Sequence, residues 1–304
     1  MSFKRLHELI HLADEKHMSI GQLMLETESE QSGQTKEEIL EAMTRQFDVM
    51  AEAAHTGVSQ PISSRTGLTG GDAYRVSQYL QGERSFLEGS AARAMSYALS
   101  VNEVNAGMGR IVATPTAGSA GVLPGVLVSL LDEGRYPKES LVLALLTAAA
   151  IGLVIANSAS ISGAAGGCQA EIGSATAMAA GALVELAGGN AEQVGHAVGL
   201  ALKNSLGLVC DPVAGLVEIP CITRNGLHAV TAMAAADMAL AGVRSIIPPD
   251  EVIQAMYDIG NEMPSTLRET GLGGLAATRT GQLLREWVLG DSSKPCKRGE
   301  SHEI

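Results

Sequence analysis

Residues 140 to 170 contain no Asp, Glu, Lys or Arg. A charge-free stretch of that length belongs inside a protein core or inside a bilayer, and the choice between them constrains the rest of the fold. Its apolar part, "LVLALLTAAAIGLVIA", runs for about 16 residues where a spanning helix needs roughly 20, and Ala inserts only weakly. The "NSASISGAAGG" that follows is too polar to extend it. The stretch therefore reads as a buried core helix; a small membrane transporter is the non-enzyme alternative.

A core helix of this kind needs neighbours that come close. The chain has 35 Gly and only 3% aromatic residues, and its many Ala, Gly and Ser side chains let helices approach one another. Hydrophobic content of 46% over 304 residues fills a sizeable core. Few runs alternate apolar with polar as strands do, so the chain reads as mainly α, a single helical domain with Gly- and Pro-rich loops. Residues 1–55 form an N-terminal helical segment, in which Leu6, Leu9, Ile10 and Ala13 share a face, as do Ile39, Met43 and Met50. Residues 56–290 form the main domain, and 291–304 read as a flexible C-terminal tail.

A formal charge of -12 argues against a nucleic-acid partner, which demands clustered Lys and Arg. The N-terminus "MSFKRLHELIHLADEKH" lacks the apolar core of a secretory signal, so a cytoplasmic location is expected. In that reducing setting cysteines serve as metal ligands or catalytic groups more often than as disulfides.

The chain has four cysteines, and three stand in loops. Cys168 lies in "SGAAGGCQAEIGSA", where a glycine loop gives way to a helix; there the helix dipole is expected to favour its thiolate. Cys210 and Cys221 lie in "LVCDPVAGLVEIPCITRN", broken by Pro212, Gly215 and Pro220. Neither spacing, 42 and 11 residues, is the tight CxxC of a zinc ribbon. Each cysteine taken singly would pass for a buried free thiol. Together they point to a shared metal site, and thiolates favour zinc or an iron–sulfur cluster. Three thiolates on a four-iron cluster would leave one iron open as a Lewis acid.

Four stretches carry a resemblance: "SRTGLTGGDA" (64–73), "ATPTAGSAGVLPG" (113–125), "SGAAGGCQAEIGSA" (162–175) and the segment holding Cys210 and Cys221. Together they resemble the α chain of iron–sulfur-dependent L-serine dehydratase, over nearly all of 55 to 285. The resemblance implies a 4Fe-4S cluster held by Cys168, Cys210 and Cys221, deamination of L-serine to pyruvate and ammonia, and no pyridoxal phosphate. It also implies a separate β chain as partner, because the "SSSHT"-type motif of the family's other half is missing; "PISSRTG" is only superficially like it. A related iron–sulfur cysteine desulfidase would share this architecture.

Candidate substrate contacts are Thr114, Thr116, Gly118 and Ser119, whose hydroxyls and amides form a nest suited to a carboxylate, or equally a tight packing loop. Lys203 and Asn204 are weak catalytic candidates, since they precede Cys210 closely and Lys203 is the only Lys or Arg between Lys138 and Arg224. Arg224 and Asn225, just past Cys221, are similar candidates. A pyridoxal-phosphate lyase, with Lys203 as Schiff base and "GAAGG" as phosphate cradle, is the rival enzyme reading, but it leaves three cysteines without a role. His196 and His228 read as core histidines, while His7, His11, His17 and His302 read as solvated. No residue is singled out as the base that removes the α-proton. Cys296, in the polar tail, is either a bystander or a mobile cap for an open iron.

Overall fold

The computed structural model describes residues 3 to 290 apart from 83; Cys296 and His302 lie outside the described residues. Thirteen α-helices fill the described residues, and no strand is found among them. In chain order they are α1 (Leu6–Lys16), α2 (Ile20–Ser32), α3 (Lys36–Ser59), α4 (Asp72–Tyr79), α5 (Gly89–Ala106), α6 (Val122–Asp132) and α7 (Lys138–Ser158). Then follow α8 (Gly163–Gly166), α9 (Ser174–Leu186), α10 (Ala191–Lys203), α11 (Cys221–Leu240), α12 (Pro249–Glu262) and α13 (Arg279–Leu289). A mainly α fold was the expectation, and it holds.

The helix starts follow from side-chain chemistry. Ser19, Thr35 and Asn190 each accept a hydrogen bond from the backbone three residues on, and Gln22, Glu38 and Gln193 return it, so α2, α3 and α10 open on capping boxes. Other helix ends are closed over long range. Asp250, in the first turn of α12, accepts from the amides of Leu6 (2.8 Å) and His7 (3.0 Å) at the start of α1. Glu185, at the end of α9, accepts from the amides of Ile20 (2.6 Å) and Gly21 (3.0 Å) at the start of α2. Each carboxylate satisfies orphan amides and faces the positive end of a helix dipole.

The charge-free stretch is the centre of the core. α7 packs on α9 and α2, with Leu141, Leu145, Ile151 and Ile155 fully or almost fully buried. It is 21 residues long, longer than the apolar run alone suggested, because Lys138 and Glu139 start it and Asn157 and Ser158 finish it. By length and composition α7 could cross a membrane, yet 67% of its apolar window is buried inside the protein. Small residues dominate α9, where Ala175, Ala177, Ala179, Ala180, Gly181 and Ala182 are buried against α7, α10 and α11. One hydrophobic cluster runs from Phe3 to Met256, so the N-terminal helices share the core of the rest, and α3 continues through residue 55. Leu6, Leu9, Ala13, Ile39 and Met50 are buried as their spacing predicts, while Ile10 and Met43 sit at the margin of the core.

Candidate functional site

The three cysteines stand on three different elements. Cys168 follows the short helix α8 and opens a π-helical turn, Gln169–Gly173, that runs directly into α9. Cys221 is the first residue of α11. Cys210 lies in the loop between α10 and α11, where two backbone hydrogen bonds fix it to a distant segment: its amide donates to Leu267 O (2.8 Å), and Glu269 N donates to its carbonyl (2.7 Å). A third backbone bond, Gln169 N to Leu208 O (2.9 Å), lays this loop against the π-turn. The Gln169 side chain, buried, braces it further by accepting from Gly207 N (2.8 Å) and donating to Met256 O (2.9 Å).

These braces bring all three cysteines to one pocket as free thiols, Cys168 and Cys210 buried and Cys221 half-buried, and their charges interact there. Burial pushes the Cys168 thiol up to about 11 and the Cys221 thiol up to about 12, and Cys210 higher still. The expectation that the helix dipole would hold Cys168 as a thiolate is therefore corrected. It does sit at a helix start, but loss of water outweighs the dipole. Only Arg224 works in the opposite direction from a charged side chain, with its guanidinium donating to Cys168 Sγ. It also donates to Val209 O (2.8 Å) and forms a 3.0 Å ion pair with Asp211, which is 4% exposed.

Two carboxylates complete the pocket. Glu171, three residues after Cys168, is buried and accepts from the Thr116 hydroxyl and the Gly118 amide. Burial raises its pKa, and Glu269 adds to the effect. Gly118 is a glycine for space, since a Cβ there would collide with the Glu171 carboxylate. Gly163 in α8 is another such case: a Cβ would lie 2.8 Å from Glu171 Oε2, 2.9 Å from Cys210 Sγ and 3.3 Å from Glu269 Oε2. The two carboxylates and a thiol thus crowd one face of one glycine.

The nest at 114 to 119 is beside this pocket, with its donors turned inward. Thr116 and Gly118 face Glu171, Ser119 Oγ donates to Thr114 O (3.2 Å), and Thr114 is buried. Asn225 joins it to the start of α11: its amide donates to Gly118 O (2.7 Å) and Cys221 O (2.9 Å), and its Oδ1 accepts from Gly121 N (2.9 Å). The "SRTGLTGGDA" loop is clasped from the same side, because the hydroxyls of Thr66 (2.7 Å) and Thr69 (2.6 Å) both donate to Glu218.

Other candidates fall elsewhere. Asn204 is exposed and its amide donates to Leu200 O (2.9 Å), closing α10; Lys203 shares that last turn, half-buried. The "GAAGG" stretch folds mostly as the helical turn α8. His228, on α11, is paired with Thr176 Oγ1 (3.0 Å), and burial lowers its pKa to about 4, so it is neutral near pH 7. His196 lies on α10 beside Arg244 and Glu192. Glu171, Glu269, Asp211 and Glu218 were not among the residues that the sequence singled out. Glu171 carried a signal, as the first charged residue after the charge-free stretch and three positions from a cysteine. Glu269 carried none.

A model of the serine dehydratase alpha chain matches residues 15–276. The chain belongs to that family. A probable L-serine dehydratase alpha chain of Bacillus subtilis (strain 168) is 52% identical over 95% of this chain and 96% of its own length. The L-serine dehydratase alpha chain of Peptoniphilus asaccharolyticus is 45% identical over 93% of this chain and 97% of its own. The L-serine dehydratase of Streptomyces coelicolor is 42% identical over 90% of this chain, and there the match spans 60% of the relative. The family therefore includes longer chains that carry a further portion beyond the part matched here.

Proposed function

We propose that this chain is the α subunit of a cytoplasmic L-serine dehydratase, converting L-serine to pyruvate and ammonia with a 4Fe-4S cluster held by Cys168, Cys210 and Cys221. The observation that carries it is the arrival of three thiols from three separate segments in one pocket of a chain of this family.

The donor set fits such a group. Three buried or half-buried thiols beside Glu171 and Glu269 hold their protons tightly, with the single charge of Arg224 beside Cys168 too little to offset burial. A thiophilic cation would displace those protons and neutralise the pocket. Among the described residues, no three His, Cys, Asp or Glu side chains are placed to hold a single metal ion. Thiols that bind different irons of one cluster need not converge on a point, so this disfavours a mononuclear site and leaves a cluster open. When bound, an iron with no protein ligand supplies a Lewis acid for the hydroxyl and carboxylate of the substrate.

The remaining work falls to the protein. Burial of Cys168 and Cys210, with Cys221 half-buried beside them, limits the access of water to the ligand set. Arg224 supplies positive charge beside Cys168, and Asp211 fixes its orientation. Thr116 and Gly118 hold the Glu171 carboxylate at the pocket wall. The overall reaction removes the α-proton and the β-hydroxyl of L-serine as water; the resulting aminoacrylate tautomerises to an imine, and water then releases ammonia and pyruvate. The longer relatives support the view that a separate β chain completes the enzyme.

The test is anaerobic reconstitution of this chain with iron and sulfide, followed by assembly with its β chain. About four irons per chain and broad absorption near 400 nm are expected, as for thiolate-bound clusters. Cys168→Ser, Cys210→Ser and Cys221→Ser should each lose most of that signal and all turnover of L-serine while keeping the helical circular dichroism. A full cluster in any one variant removes that cysteine from the ligand set, and full turnover by this chain alone removes the β chain from the proposal.

A further inference from the structure

An amino-acid substrate brings a cation as well as an anion and a hydroxyl, and the dehydratase function proposed for this chain has so far given its ammonium group no partner. Arg268, next to Glu269 in the chain, places its guanidinium on Ala165 O (3.4 Å), and the pocket holds Arg224, already engaged by Asp211 and Cys168. The pocket contains two carboxylates, Glu171 and Glu269, and neither is paired at salt-bridge distance with Lys, Arg or His among the described residues. Both reach the same face of Gly163, with oxygens 2.8 and 3.3 Å from the position a Cβ would take there. A buried carboxylate such as Glu171, without a counterion, calls for one, and the exposed Glu269 opens the way to it.

Glu269 adds a second, independent sign. Its backbone is left-handed, with φ 63, a conformation that suits glycine and disfavours any residue with a side chain. The hydrogen bond from its amide to Cys210 O (2.7 Å) holds it there, directly beside a thiol of the pocket. Its neighbourhood is rich in glycine, with Gly271, Gly273 and Gly274 close behind it in the chain, yet this strained position carries a carboxylate. A local preference overridden at the rim of a site points to a side chain that the site uses.

We propose that Glu269, with Glu171 behind it, binds the α-ammonium group of the substrate and so selects amino acids over hydroxy acids of the same shape; this assignment rests on the dehydratase function. Glu269 is the exposed outer member and meets the ammonium first; Glu171, held by Thr116, closes the inner side. The pair is a recognition element and takes no part in bond breaking.

The test uses the assembled, cluster-loaded enzyme and two ligands, L-serine and 3-hydroxypropanoate, which lacks only the amino group. Binding is read from the perturbation of the cluster absorption, and turnover separately. Glu269→Gly is the informative variant, because glycine relieves the backbone and removes the carboxylate; Glu269→Gln keeps the shape and removes the charge. Loss of a charge-assisted contact should weaken L-serine binding about tenfold or more in both variants. Affinity for 3-hydroxypropanoate and the iron content should stay within about twofold, since neither involves the ammonium partner. Equal weakening of both ligands, or unchanged L-serine binding, overturns the assignment and leaves the dehydratase function standing. A wild-type enzyme that ignores L-serine overturns that function first, and this assignment with it.

Discussion

The packed interface of α7 with α9 and the segment from 208 to 225, a loop that runs into the first turn of α11, are held together by different physics. The helix interface is mostly apolar, built of Leu, Ile and Ala whose contacts are many, weak and interchangeable, with one polar link where Thr147 Oγ1 donates to Glu185 Oε1 (2.5 Å). The loop has few such contacts and is fixed by particular hydrogen bonds: Arg224 to Asp211 and Val209, Asn225 to Gly118 and Cys221, Glu218 to Thr66 and Thr69, Cys210 to Leu267. An apolar interface sets stability by area, whereas a polar network sets position by geometry. Damage to the first should lower melting temperature and spare the site; damage to the second should do the reverse or both.

The largest effect is expected where the network is charged. Arg224→Met leaves the buried Asp211 without its counterion, with only the Leu275 amide (2.8 Å) still donating to it, and breaking a buried pair in this way costs about 3–5 kcal/mol. Both denaturant midpoint and cluster signal should fall together; a variant with wild-type stability would show that Asp211 finds another partner. Next comes Ile151→Ala in α7, fully buried beside Gly181, which should cost about 3 kcal/mol through lost contacts and the cavity left behind. Here the cluster spectrum of the folded protein should be unchanged, and a shifted spectrum would show that the helix interface and the loop are coupled after all. Gly163→Ala sharpens the contrast from the other side. Its Cβ intrudes on Glu171, Cys210 and Glu269, so cluster loading should fall severely while stability drops only about 1–3 kcal/mol, the usual cost of overpacking. Ser19→Ala, at the start of α2 and far from the thiols in the chain, should cost about 1 kcal/mol by losing a cap, with iron content untouched.

The same contrast explains what the sequence revealed. Apolar periodicity depends on neighbours three and four residues apart, so the buried faces of α1 and α3 and the central place of α7 were legible. The thiols were legible as a set because cysteine is scarce here and each stood in a broken loop. Their protonation was not, because it depends on how much water the finished fold excludes. Arg224 and Asn225 stood next to a cysteine and drew notice; Lys203 and Asn204 did so for the same reason, yet their turn of α10 ends in a local cap. Glu269 reaches the pocket only through the backbone bridge between Cys210 and Arg268, a pairing that no local pattern announces.

The long-range caps on the first two helices have a consequence for how the chain is made. α1 and α2 are synthesised before α9 and α12, and the carboxylates that complete their starts, Asp250 and Glu185, come 244 and 165 residues later than the amides of Leu6 and Ile20. A nascent N-terminal segment therefore leaves the ribosome with only its local caps, Glu8 on α1 and Ser19 with Gln22 on α2, and an unpartnered apolar face. Its helix starts are completed only after α9 and then α12 have emerged. α1 and α2 are thus made well before the partners that lock them, and completion of α12 supplies the carboxylate that fastens the start of α1.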